Sequence, residues 1–558
     1  MKTLTRRARA RRPLPQAEEV QAGALAHLSR SPRERSPLFA AGEGLTRRAC
    51  LALPLLAVAS RARAGPATDT LRISWREVIP NLDPYANQSR AGFALAHEVW
   101  DTLVYRDPSN FAIQPLLATA WTWEDDRALV FTLRPGVTWQ NGDKFGAADV
   151  AYTINMVASD RRLSAPAIYN WLAGADILDP LRVRVRLKRP MPAALEYFAM
   201  AIWILPQAYR ERVGRDGFAR APVGSGPYRV VQADGASRIE LARYDGYYSA
   251  SPKGRPAIER IVARVVADTT TEVADLLGGT ADWIWKFDPD RIPAIARDPR
   301  LVAIQAESMR IGYLSLDAAG RTGANPLTNE KVRQAIAYAI DRAAMARDLV
   351  GTGSRPLDAP CYPTQIGCET ASAVVYPYDP ARARQLLAEA GYPHGFTINL
   401  VTYEPAQVSA ALQRYLRAVG IDAPVIQLPA GEVVLRSIEG EARMEAGDWG
   451  SYSINDVSAI LPHFFTFTPE DYTRDPRIRD LIEAAGSTRD PARRKTDYAQ
   501  AVQAITAHAD WLPLYTYTVT YGFTRDLLFT PFPDELPRFF LCRWVTPDQE
   551  NDAAAARR

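Results

Sequence analysis

Apolar and polar positions alternate in LVFTLR (129–134) and RVRVRL (182–187), the two-residue period of strands with one buried face. Amphipathic helices lie between such segments. Asp379-Pro380, Asp475-Pro476 and Asp490-Pro491 each set a capping carboxylate before a proline at the first helical position, and Gly391 and Gly486 fall where C-terminal glycines belong. The spacing predicts a helix over 328–350, with Val332, Ile336 and Ile340 four residues apart and Gly351 closing it. Strands and helices mix along the whole chain, which excludes an all-α or all-β protein and points to a mixed α/β (α+β) architecture of several domains.

One apolar run stands apart. Residues 50–59 follow Arg47-Arg48 and precede Ala62-Arg63-Ala64, the layout of an export signal cleaved near Ala64. The run is about half the ~20 residues that a spanning helix needs. Thr46-Arg47-Arg48-Ala49-Cys50-Leu51 looks like a twin-arginine motif, with ordinary secretion as the alternative route. A periplasmic protein is expected, with an Arg/Pro/Ala-rich disordered extension before the signal and a charged tail at 546–558.

Composition adds exclusions. The 558 residues are 47% hydrophobic and 23% charged, with 67 Lys+Arg against 63 Asp+Glu, an ordinary globular balance without a nucleic-acid signature. His97-Glu98 lacks the second His of a zinc protease, and Gly224-Ser225-Gly226 is not a nucleophile elbow, so neither catalysis, metal nor cofactor is expected. Cys361 and Cys368 either close a short disulfide loop in an oxidising compartment or remain free thiols.

Several blocks, read in order, are similar to family 5 of the extracellular solute-binding proteins, the dipeptide-, oligopeptide- and nickel-binding components of ABC importers. They are LRISWREVIPNLDPYANQ (71–88), IQPLLATAWTWEDDRALVFTLRPGVTWQNGDKFGAADVAYTI (113–154), GSGPYRVVQAD (224–234), ARYDGYY (242–248), KVRQAIAYAIDR (331–342), YPYDPARARQLLAEAGY (376–392) and WLPLYTY (511–517). The resemblance implies a two-lobed periplasmic-binding-protein clamshell with an additional small domain. Its first lobe would combine 65–105, 218–308 and 515–545, the extra domain would span 106–217, and the second lobe 309–514. It also implies a monomer that captures peptides and delivers them to membrane permease subunits; a metal chelate, an opine-like conjugate or an oligosaccharide is the alternative cargo.

By the same resemblance, 447–465 is the stretch that supplies the ammonium anchor in peptide-binding members, an Asp three residues after a Trp. Here Trp449 is followed at that spacing by Tyr452, and the nearest carboxylates are Asp448 and Asp456. Trp449 and Tyr452 are carried over as cleft residues, while Asp456 is either a ligand group or the cap of a helix. Trp283 and Trp285 share one face of a strand and either stack on a ligand or fill a core. Asn87, Gln88, Arg310 and Tyr313 are further candidates near the expected crossings between lobes.

Overall fold

In the computed structural model the described residues are 69–87, 89–164, 168–234 and 237–545. The export segment, Gln88 and the tail at 546–558 lie outside them.

The two alternating segments pair with each other. Ala128–Leu133 and Arg182–Leu187 are the inner strands of a four-stranded antiparallel sheet completed by Ala118–Asp125 and Leu172–Asp179. Val183, Val185 and Leu187 face a core shared with the helix Ala147–Ser159, whose Val150, Ile154 and Val157 are buried. On the alternate positions Arg184 pairs with Glu124 and Arg186 with Asp176. The two-residue period thus separates an apolar face from an ion-paired one.

The three Asp-Pro starts are caps as predicted: Asp379 accepts from the amides of Ala381 and Arg382, Asp475 from Arg477 and Ile478, and Asp490 from Ala492 and Arg493. Gly391, at φ +91°, follows the helix Pro380–Glu389, whereas Gly486 lies inside the helix Pro476–Ser487 rather than after it. The helix expected over 328–350 is interrupted. Glu330–Ala339 ends where Ile340 turns extended, and Asp341 caps a new start by accepting from the amide of Ala344. The apolar period runs through this break because Val332, Ile336, Ile340 and Met345 all feed one core.

A ten-stranded mixed sheet organises the rest, in the order Val425–Gln427, Leu400–Thr402, Met444–Trp449, Leu301–Leu316, Trp511–Thr524, Trp283–Trp285, Thr70–Trp75, Arg260–Val265, Arg238–Arg243, Tyr228–Asp234. Two long antiparallel strands, Leu301–Leu316 and Trp511–Thr524, join its two ends. Their register shifts between Glu307 and Ile311, so the ladder is interrupted near its middle. The half beyond Ile311 pairs with Met444–Trp449, and the far half of Trp511–Thr524 pairs with Trp283–Trp285.

The GSGPY block is explained by close approach. A Cβ on Gly224 would stand 1.8 Å from the Val99 carbonyl oxygen, so only glycine fits. Cys361 and Cys368 are joined by a disulfide, and Cys542 is a buried free thiol. Among the described residues no helix is long and apolar enough to cross a membrane.

Candidate functional site

Beyond Trp449 the chain enters a turn in which Ser451, Tyr452 and Ser453 all take left-handed backbone conformations, at φ +46°, +51° and +63°. Such conformations cost about 1–2 kcal/mol per non-glycine residue, so contacts from elsewhere must hold the turn. Four long-range hydrogen bonds do so. Arg90 donates to the Gly450 carbonyl (3.0 Å), Arg106 donates to the Ser453 carbonyl (2.7 Å), the Ser453 hydroxyl donates to the Asp534 carbonyl (2.5 Å), and the Asn455 amide donates to Glu196 (3.1 Å). Behind them Arg106 is wholly buried between Glu196 at 2.8 Å and Asp534 at 2.6 Å.

A second charged row runs past the register shift. Arg310, inside the shifted stretch, pairs with Asp448 on one side and with Glu535 at 3.0 Å on the other; Arg90 also reaches Glu535, at 3.2 Å. Burial works against ionising Glu535, but the Arg310 and Arg90 guanidiniums outweigh it and hold its carboxyl well below the usual range. At Glu404 the pull of Arg310 is too weak to outweigh the opposing effects. Burial, and then the nearby Asp448 carboxylate, push it up to about 8. The Tyr517 hydroxyl donates to one of its oxygens, while the other is buried without a partner.

Aromatic rings line the approach. The Trp449 indole stacks on His463 with centroids 4.2 Å apart, meets Tyr452 edge-on at 5.3 Å, and donates its N–H to the Ala459 carbonyl at 2.8 Å. Burial, followed by the field of Glu470, pushes the Tyr452 phenol up to about 12, so it stays a neutral hydroxyl at physiological pH. Tyr452, Ala459 and His463 form part of the wall of a cavity of about 450 Å³, within the size range of small-ligand sites. Asn170, Arg189, Met191 and Tyr197, from the segments around the four-stranded sheet, also line it.

Of the sequence candidates Tyr452 lines the cavity, Trp449 packs against it, and Arg310 is taken by ion pairs with Asp448 and Glu535; the others are used differently. Asp456 is 1% exposed; it caps Val457–Ala459 by accepting from the Ser458 amide and pairs with Arg494 at 2.7 Å, so its carboxylate is already engaged. Trp283 and Trp285 are buried in the core among Tyr521, Phe529 and Phe539, the core-filling alternative. Asn87 accepts from the Ser89 amide just ahead of a helix start. Tyr313 stacks on Trp511 and donates to the buried Glu445. Sequence reasoning misses Arg90, Arg106, Glu404 and Glu535. No local signal marks them, because their partners lie far along the chain; Arg90 and Glu535 are 445 apart. Among the described residues no cluster of three or more His, Cys, Asp or Glu could hold a metal.

Residues 112–471 match the family model for bacterial extracellular solute-binding proteins, family 5 middle region. The chain belongs to that family. It is therefore a binding protein and not an enzyme. This solute-binding protein is 28% identical over 488 residues to the glutathione-binding protein GsiB of Salmonella paratyphi A, an alignment covering 84% of this chain and 90% of that one. Among solved structures, the periplasmic binding protein DppA of Helicobacter pylori in complex with peptide STSA matches with TM-score 0.69 and 20% identity, over 86% of this chain and 98% of the other. AgaA from A. tumefacien R10 in complex with agropinic acid matches with TM-score 0.68 and 22% identity, over 86% and 99%. The expected mixed α/β fold of periplasmic binding proteins is the one these structures share with this chain.

Proposed function

We propose that this solute-binding protein captures small peptides, glutathione among them, in the periplasm and delivers them as a monomer to the permease subunits of an ABC importer. The carrying observation is the likeness to a glutathione-binding protein along nine-tenths of that relative's length. A cavity of about 450 Å³ suits a ligand of two to four residues better than a long chain. The register shift at 307–311 serves as the hinge, with 65–105, 218–308 and 515–545 as one lobe, 309–514 as the other, and 106–217 as the small domain. Signal cleavage near Ala64, with the twin-arginine pair as its export mark, belongs to the same reading.

The test is mass spectrometry of solute released from natively purified protein, followed by calorimetric titration with glutathione and a Met-Leu dipeptide. Bound peptide and dissociation constants of about 1 μM or tighter, some −8 kcal/mol, are expected. Trp449→Ala should weaken binding by about 1–3 kcal/mol, because the indole sets the aromatic wall beside Tyr452; unchanged affinity would remove Trp449 from the site. An opine is the second reading. Tyr452 in place of an acidic anchor, together with the agropinic acid complex of AgaA, favours it. Release of a sugar conjugate with no peptide would establish that reading over the first.

A further inference from the structure

Neither Cys361 nor Cys368 lines the cavity, yet the loop that their disulfide closes is fastened to the chain that builds it. Gln365 is 3% exposed. Its Oε1 accepts from the Tyr362 amide at 3.1 Å, which leaves Nε2 to donate to the Ile454 carbonyl at 2.9 Å. Beside it the Ile366 amide donates to the Asn455 carbonyl at 3.1 Å, and the Val457 amide donates to the Ile366 carbonyl at 3.0 Å. Gly367, at φ +88°, permits this approach, because a Cβ there would stand 2.7 Å from the Tyr498 ring and 2.8 Å from the Val457 side chain. The segment so held, 454–457, has cavity residues on both sides: Tyr452 before it, and Ser458, Ala459, Pro462 and His463 after it.

We propose that the Cys361–Cys368 loop is a positioning element for cargo binding, with Gln365 as its working residue, so that capture depends on the oxidised state of the bond. The inference rests on the peptide reading above. Cys361 is buried in one core with Val457, Ile460 and Phe464, and Cys368 is half-buried against it. The bond fixes both ends of the loop, so Gln365 and Ile366 are presented to 454–457 at one place. Without it the glycine-containing loop gains freedom, and the wall must be ordered when cargo arrives, a cost taken from affinity. Reduction by a dithiol such as dithiothreitol delivers two electrons and two protons to the sulfurs and leaves two thiols, while the dithiol closes into its own disulfide.

The test uses the full mature protein with a Met-Leu dipeptide and trialanine, which carry no thiol and cannot open the bond themselves. Cys361→Ser/Cys368→Ser and Gln365→Met should each weaken binding about tenfold by calorimetry. The triple variant should be no more than about twofold weaker than the double, because both changes release the same segment. A single thermal transition would show that each variant is folded. Binding and disulfide are reciprocally linked, so saturating Met-Leu should make the bond harder to reduce by the same factor, about 30 mV for a two-electron couple, in dithiothreitol redox buffers. A disulfide that only stabilises the fold would lower the melting temperature and leave both affinity and potential unmoved. That result, or losses that multiply in the triple variant, overturns this inference alone. Wild-type protein that ignores both probes overturns the peptide reading and the inference with it.

Discussion

Replacing Arg106 with methionine should lower the free energy of unfolding by about 3–5 kcal/mol, the usual cost of removing one partner from a buried ion pair. The guanidinium is fully buried and holds three acceptors at once: Glu196, Asp534 and the Ser453 carbonyl. Asp534 would keep Arg538 at 2.6 Å, but Glu196 would retain only the Asn455 amide, and burial already disfavours its charge. Urea unfolding of the single variant should show the loss, and Arg106→Met combined with Glu196→Gln should recover part of it by removing the stranded charge. A single variant within about 1 kcal/mol of wild type would mean that water reaches the carboxylates and that the network is not sealed.

The second large effect should come from Glu98, read through pH. Its side chain is 1% exposed; one oxygen accepts from the Phe539 and Phe540 amides, and the other has no partner. Burial pushes it up to about 8, against the opposing pull of Lys253 and of those two amides. Between about 4.5 and 8 the folded protein therefore keeps a proton that the unfolded chain releases. The resulting stability is fully present below the unfolded value and is lost as pH rises through about 8. Glu404 and Glu445, raised to about 8 and about 7, add slope of the same sign. Glu98→Gln keeps an acceptor for the two amides and removes the ionisation, so it should gain about 3–5 kcal/mol on wild type between pH 5 and pH 8.5. Parallel stability curves for the two proteins would overturn this account.

What was legible in the sequence followed from how local each feature is. The Asp-Pro caps and the period of 182–187 depend on residues within one turn or one strand, and both appear in the structure as expected. Asp456 is the instructive middle case. Its cap is local and readable, but the partner that makes its carboxylate unavailable, Arg494, lies 38 residues away. Alternation correctly placed Trp283 and Trp285 together, with ring centroids 5.5 Å apart, yet it could not say which way their face turned. The deep part of the site lay furthest from reach. Arg90 and Arg106 meet Glu535 and Asp534 across 445 and 428 residues, and only the folding back of the C-terminal segment brings them together.

The left-handed turn also limits how the site can be rebuilt. At φ +51°, position 452 disfavours valine, isoleucine and threonine, whereas asparagine and aspartate enter that region several-fold more readily than most residues. Tyr452→Asp thus asks little of the backbone while placing a carboxylate on the wall where a phenol now stands. For protein engineering, the same main-chain shape that presents an aromatic hydroxyl to the cavity is a ready mount for an acid, so cargo preference could be altered here without redesigning the loop.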